Sequence, residues 1–178
     1  SGNSFDGGSV AQSVVSINNS SDCVLSGNSF RNPADAGMPS LVAIQANVAN
    51  HKTDRNIVTG NKFINPAGEG RSLFITANGD NSTANGTIVS GNSFYGNPSG
   101  KGVSVNANTA ATGATALNTL IDGNVIDTAS VFVTASDDSN TTISGNRSSS
   151  VATNLQLTGV SAGLRVSGNS WQSVTAPP

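Results

Sequence analysis

The sequence has little of what most active sites and most protein cores are made from. It has one cysteine, Cys23, which excludes an internal disulfide framework, and one histidine, His51, so no His/Cys set exists to hold a zinc ion. Charged residues make up 10% of the chain and aromatic residues 4%. With eight Lys and Arg and a net charge of −2, there is no basic face for nucleic acid or for an anionic membrane surface. No apolar run approaches the roughly 18 residues of a membrane-spanning helix, and the opening residues do not read as a signal peptide. Phosphate-loop and dinucleotide fingerprints, EF-hand spacing and the glycine-rich calcium nonapeptide are also missing, so neither a cofactor nor a metal is expected. No segment carries a helical period. A disordered chain of this polarity usually carries more net charge, so the composition points to a polar, turn-rich fold. Cys23 reads as a small buried hydrophobe.

What the chain does contain is a repeat. Gly-Asn recurs at Gly2-Asn3, Gly27-Asn28, Gly60-Asn61, Gly91-Asn92, Gly123-Asn124, Gly145-Asn146 and Gly168-Asn169, in steps of 25, 33, 31, 32, 22 and 23 residues. Two residues before each Gly, from the second copy on, stands an aliphatic: Leu25, Val58, Val89, Ile121, Ile143 and Val166. Three residues after the Gly stands a large apolar residue, Phe5, Phe30, Phe63, Phe94, Ile126 or Trp171, with Ser148 the exception. Between the copies runs a second pattern, aliphatic–x–aliphatic: Val15-x-Ile17, Val42-x-Ile44, Leu73-x-Ile75, Val103-x-Val105, Val131-x-Val133 and Leu155-x-Leu157. Alternation with β-branched enrichment reads as a short strand with one buried face.

Short strands recurring at a period as short as 22 residues predict an all-β solenoid in which each coil pairs with its neighbours and like residues stack. The Gly-Asn pair is then the corner of a coil. Gly and Asn tolerate the left-handed backbone conformation a corner needs, and stacked Asn amides can bond one another along the ladder.

The once-per-coil phrase aliphatic-x-Gly-Asn-x-Phe resembles the right-handed, pectate-lyase-like β-helix superfamily, over nearly the whole chain. That superfamily includes polysaccharide lyases, galacturonases, alginate epimerases and bacteriophage tailspikes. The resemblance implies a right-handed, single-stranded parallel β-helix of about six coils, spanning 1–178 as one domain. Because the chain opens on the tail of a coil, we expect it to be cut at its N-terminal side from a longer solenoid. The expected setting is a virion tail or the extracellular surface.

Differences between coils are where function can be written. From the second aliphatic of the strand to the next corner Gly the interval is 16, 16 and 18 residues in coils two to four, against 10 to 12 elsewhere. These longer loops are expected to lie side by side. A second loop set after the aromatic shares Asn32-Pro33, Asn65-Pro66 and Asn97-Pro98, which we expect to stack as one turn. The two sets are expected to wall a groove over the outer face of the Val-x-Ile strand. That face is expected to carry Ser16, Ala43, Phe74, Ser104, Phe132 and Gln156, then Asn18, Gln45, Thr76, Asn106, Thr134 and Thr158. Aromatic rings and amides suit a sugar chain.

Hydrolysis of a polysaccharide needs two carboxyl groups, and a lyase or epimerase needs a base with a cation to neutralise a uronate. The strand face has no carboxylate. The densest ionisable group is Asn-His-Lys-Thr-Asp-Arg-Asn, with His51, Lys52, Asp54 and Arg55; across the groove stand Glu69 and Arg71, with Asp80 one coil on. The catalytic candidates are Glu69 with Asp54 or Asp80. The substrate-binding candidates are Phe74, Phe132, His51, Lys52, Arg55 and Arg71. The competing reading of these charges is a set of solvated loop groups.

One more row stands out. If Leu25, Val58, Val89 and Ile121 point inward, their predecessors Val24, Ile57, Ile88 and Leu120 point outward. An aliphatic ladder facing water marks an interface. Tailspikes similar to this fold are trimers packed about a threefold axis, so the ladder is expected in a homotrimer interface. The function expected is recognition of a bacterial surface polysaccharide by a tailspike or tail fibre, with depolymerase activity, as a glycosidase or a lyase, left open. The alternatives are a secreted polysaccharide lyase or epimerase and a non-catalytic adhesive stalk.

Overall fold

A computed structural model describes residues 1–7, 13–32, 40–65, 70–136, 140–158 and 162–173. Within them every regular element is a strand, and every strand pairing is parallel. The strands fall into three stacks. Stack one holds β1 (Ser4–Asp6), β4 (Ser29–Arg31), β7 (Lys62–Ile64), β10 (Ser93–Tyr95) and β13 (Val125–Ile126). Stack two holds β2 (Val15–Asn18), β5 (Ser40–Ala46), β8 (Arg71–Ala77), β11 (Asn97–Ala107) and β14 (Ala129–Ser136). The long β16 (Arg147–Thr158) pairs with both β13 and β14 and so joins the two stacks into one curled 12-stranded sheet; β18 (Ser170–Ser173) pairs with β16. Stack three is a separate sheet: β3 (Val24–Ser26), β6 (Ile57–Thr59), β9 (Ile88–Ser90), β12 (Leu120–Asp122), β15 (Thr142–Ser144) and β17 (Arg165–Ser167). The chain visits the stacks in rotation, an arrangement compatible with a parallel β-helix.

The Gly-Asn corner joins stack three to stack one, and its chemistry is visible at each repeat. The corner glycines, for example Gly60 (φ +63°) and Gly91 (φ +60°), are left-handed, a conformation that costs other residues about 1–2 kcal/mol. The Asn that follows is turned inward and almost fully buried, from Asn28 (4% exposed) to Asn124 (0%). Its backbone N–H and one side-chain N–H donate to the Oδ1 of the next Asn: Asn61 to Asn92 at 2.9 and 3.1 Å, Asn92 to Asn124 at 2.9 and 3.0 Å. The second side-chain proton goes back to a carbonyl of the preceding repeat, as from Asn92 to Val58 at 2.8 Å. The expected amide ladder is thus present, and it satisfies a buried polar row completely.

Inside the stacks the core is made of like-on-like ladders. Phe5, Phe30, Phe63 and Phe94 stack with ring centroids 5.1, 5.2 and 4.8 Å apart. Ile126, Ser148 and Trp171 continue their register in the later repeats. Val58, Val89, Ile121 and Ile143 form the buried row of stack three, and Val42, Leu73, Val103 and Val133 that of stack two.

Two expectations about register are corrected. The strand of the fifth repeat is set two residues further along: Val133 and Ala135, not Val131 and Val133, pair with Val103 and Val105. Phe132 falls opposite Gly102, ahead of the alternating stretch that begins at Val133, and is fully buried, packed edge-on against Phe94 at 6.3 Å. Gly102 makes room for it, since a Cβ there would lie 2.8 Å from the Phe132 carbonyl oxygen and 3.0 Å from its ring. The third Asn-Pro pair is out of step as well. Asn32 and Asn65 stack through a 3.2 Å amide bond. The strand register instead brings Gly96 (φ +61°) opposite Asn65. Pro33 and Pro66 lie outside the described residues.

Candidate functional site

The outer face of stack two is a polar sheet with one aromatic ring set into it. The row Ser16, Ala43, Phe74, Ser104, Thr134 and Gln156 runs across the strands in register. Phe74 is half-buried between the fully buried Leu73 and Ile75, so its ring stands on the outer side of β8. The neighbouring row includes Asn18, Gln45, Thr76 and Asn106. Hydroxyls and amides of this surface hold one another in place: Gln45 donates to Ser16 (3.1 Å), Thr134 to Ser104 (2.8 Å), Thr76 to Asn78 and Asn78 to Asn47 (both 2.9 Å). Ala43, Thr76, Ser104 and Thr134 are themselves buried, so the part of this network open to a ligand is Ser16, Gln45, Asn47 and Asn78, together with the half-buried Phe74 and Asn106.

Arg71, at the start of β8, lays its guanidinium over the Phe74 ring, with Cζ 4.4 Å from the centroid. Lys101 stands beside it in register on β11. Burial lowers the pKa of both, and the Arg71 charge lowers that of Lys101 further. Lys101 was missed in the sequence, although Arg71 precedes Leu73 by the same two residues as Lys101 precedes Val103.

His51, Lys52, Asp54, Arg55 and Asp80 lie elsewhere, on a shelf built by the long loops of repeats two to four. The shelf is itself cross-paired, through the parallel bridges Lys52↔Thr83 and Thr83↔Thr115, so the loops do lie side by side. His51 and Lys52 are exposed on it. Asp54 is 7% exposed, and its Oδ1 accepts from Thr83 Oγ1 (2.8 Å) and from the backbone N–H of Asn85 (2.9 Å). It is one rung of a second side-chain ladder: Ser21 accepts from Asp54 N–H, and Asn85 accepts from Leu117 N–H. Arg55 makes a two-pronged contact with Asp22, at 2.7 and 2.6 Å, with both side chains well exposed. The hydrogen bond from Arg55 holds the Asp22 carboxyl below its ordinary pKa; desolvation opposes it, and the Arg55 charge adds a lesser lowering effect. Asp80 is exposed and accepts from the backbone N–H of Thr112 at 2.8 Å.

The structure therefore divides the candidates. Arg71 and Phe74 meet, with Lys101 added. The shelf group begins beyond the other end of the same strands, about 20 Å away along a seven-residue strand. Phe132 is withdrawn from the outer face into the core, where it fills the space left by the missing side chain of Gly102 on the neighbouring strand. Glu69 lies outside the described residues. Among the described residues no three His, Cys, Asp or Glu side chains are gathered as a metal site would need.

The aliphatic row of stack three is in register from Val24 through Ile57 and Ile88 to Leu120, and then passes to Thr142 and Arg165. Val24 is 61% exposed; Ile57, Ile88 and Leu120 are half-buried, while their inward neighbours Val58, Val89 and Ile121 are fully buried. No protein-family model matches the chain, and no curated protein matches it either.

Proposed function

We propose that the chain is part of a right-handed, single-stranded parallel β-helix of about six coils that recognises a bacterial surface polysaccharide. The observation that carries this reading is the outer face of stack two, where the half-buried Phe74 ring shares a sheet face with the accessible Ser16, Gln45 and Asn106. A pyranose ring offers a C–H face to pack on an aromatic and equatorial hydroxyls to bond to amides, so a polar tray with one ring in it suits a sugar chain better than an apolar ligand. The activity these residues support is binding. Asp54 and Asp80 are both engaged in holding backbone N–H groups of the next repeat, which favours recognition here over cleavage. The setting we propose is a phage tail or another extracellular surface.

The same reading includes a homotrimer. Four aliphatic side chains in one row, flanked by Ser26, Thr59 and Ser90, form a narrow apolar strip suited to packing on its own copies. Screening the chain against purified capsular and O-antigen polysaccharides by biolayer interferometry tests the recognition. Saturable binding to a subset of them is expected, and binding to none would overturn the reading.

A further inference from the structure

We infer that the aliphatic strip of stack three packs against the outer face of stack one of a second copy, about an axis that runs along the exposed corner glycines Gly27, Gly60, Gly91 and Gly123. This pairing rests on the homotrimer reading and names the two surfaces that meet: unlike faces, not strip on strip.

Three observations carry it. The first is a second apolar patch. On the outer face of stack one Ile64 and Tyr95 are direct partners on β7 and β10, and Val125 stands one repeat on in the neighbouring row. Tyr95 is 37% exposed and Val125 42%. The second is level. Ile57 and Ile64 belong to one coil, as do Ile88 with Tyr95 and Leu120 with Val125, each pair straddling one Gly-Asn corner. Rotation about an axis parallel to the solenoid keeps every coil level with its copies, so touching faces must change polarity at the same level. Both faces are apolar through these three coils, and the strip extends one coil further, to Val24. Both then turn polar together, the strip at Thr142 and Arg165 and the stack-one face at Arg147 and Ser170. Asp122, beside the strip, comes within one coil of the level of Arg147, a charge of opposite sign. The third is the corner between the faces. The exposed glycines there are flanked by Ser26, Ser29, Thr59, Ser90 and Ser93, so backbones of neighbouring copies can approach closely. Lys62, the long side chain at this edge, lies over the Tyr95 ring at 5.2 Å.

Strip against strip is less suited. In its isologous form it closes a dimer about a twofold axis, and it leaves Tyr95 and Val125 facing water. Contact between unlike faces closes a ring and covers both apolar patches.

The test is disulfide trapping in a C23S background, which removes the native thiol. C23S/I88C/Y95C places one cysteine on each face, on opposite sides of the corner of its own chain, so that bridges form between chains. Oxidation should convert it to a disulfide-closed trimer on a non-reducing gel, while C23S/I88C and C23S/Y95C alone stay at chain mass. As a second measurement, I88R and Y95E should each raise the concentration at which the trimer dissociates at least about tenfold, and the double variant I88R/Y95E should recover most of that loss. Self-linked C23S/I88C dimers would overturn the pairing. Its failure is separable from failure of the homotrimer reading. A C23S chain that sediments as a trimer but shows neither the Ile88-to-Tyr95 bridge nor the recovery removes the pairing and leaves the trimer standing. A C23S chain that sediments as a monomer removes both.

Discussion

At the residue scale, the inward Asn of each corner is the most demanding position in the molecule. Asn92 receives two hydrogen bonds on Oδ1 and gives two from Nδ2, all while buried. Asn92→Asp keeps the shape and the acceptor but faces the carbonyls of Val58 and Asn124 with an oxygen where a donor stood. We expect it to destabilise the chain by about 3 kcal/mol or more near neutral pH. The new carboxyl would have a raised folded-state pKa. The protein should therefore be least impaired below about pH 4, where the group is protonated in both states, and should lose stability as pH rises through the range above it. Urea unfolding of this variant at acid and neutral pH measures the difference. The role of Asn was legible in the sequence, because only a stacked corner explains Gly-Asn seven times over. The role of Asp54 was not. A carboxylate in a charged loop looks available until the next repeat is in place and its Asn85 N–H is seen to occupy it.

At the scale of the strand, the two phenylalanines of stack two separate core from surface. Phe132→Ala removes a ring packed on Phe94 and over Gly102, and should cost about 3–5 kcal/mol of stability. Phe74→Ala removes a half-buried ring on the outer face and should cost about 1 kcal/mol. Thermal or urea unfolding of the pair checks the contrast; equal losses would place both rings in the same environment and contradict the register. That register explains how far the strands could be read. Alternation located every stack-two strand and placed Phe74 correctly. In the fifth repeat Val131-Phe132-Val133 and Val133-Thr134-Ala135 both alternate with Phe132 on the outer face, and local pattern cannot show that the ring lies inside. What admits it is Gly102, thirty residues earlier in the chain and adjacent in space, whose missing side chain leaves room for the Phe132 ring. The Arg71–Lys101 pair was half legible for a related reason. Arg71 was noticed for the charges near it in sequence, whereas its partner is set by the pairing of β8 with β11.

At the scale of the whole molecule, two outer faces ask for partners of different kinds. Stack three offers an aliphatic strip, and stack two a polar tray with a ring and two cations. If the strip is an assembly surface, sedimentation should give three times the 17.7 kDa chain mass. Ile88→Arg, at the middle of the strip, should then yield folded monomers, because a charge pointing outward is tolerated by the isolated sheet but not by a packed interface. A monomeric wild type at micromolar concentration would contradict the assembly without touching the tray. The tray is the centre of the account, and its most direct test is calorimetric titration of the polysaccharide found to bind, into wild type and Phe74→Ala. The account predicts binding at least about tenfold weaker in Phe74→Ala, about 1.4 kcal/mol, with the variant still folded. Undiminished affinity in that variant would contradict it.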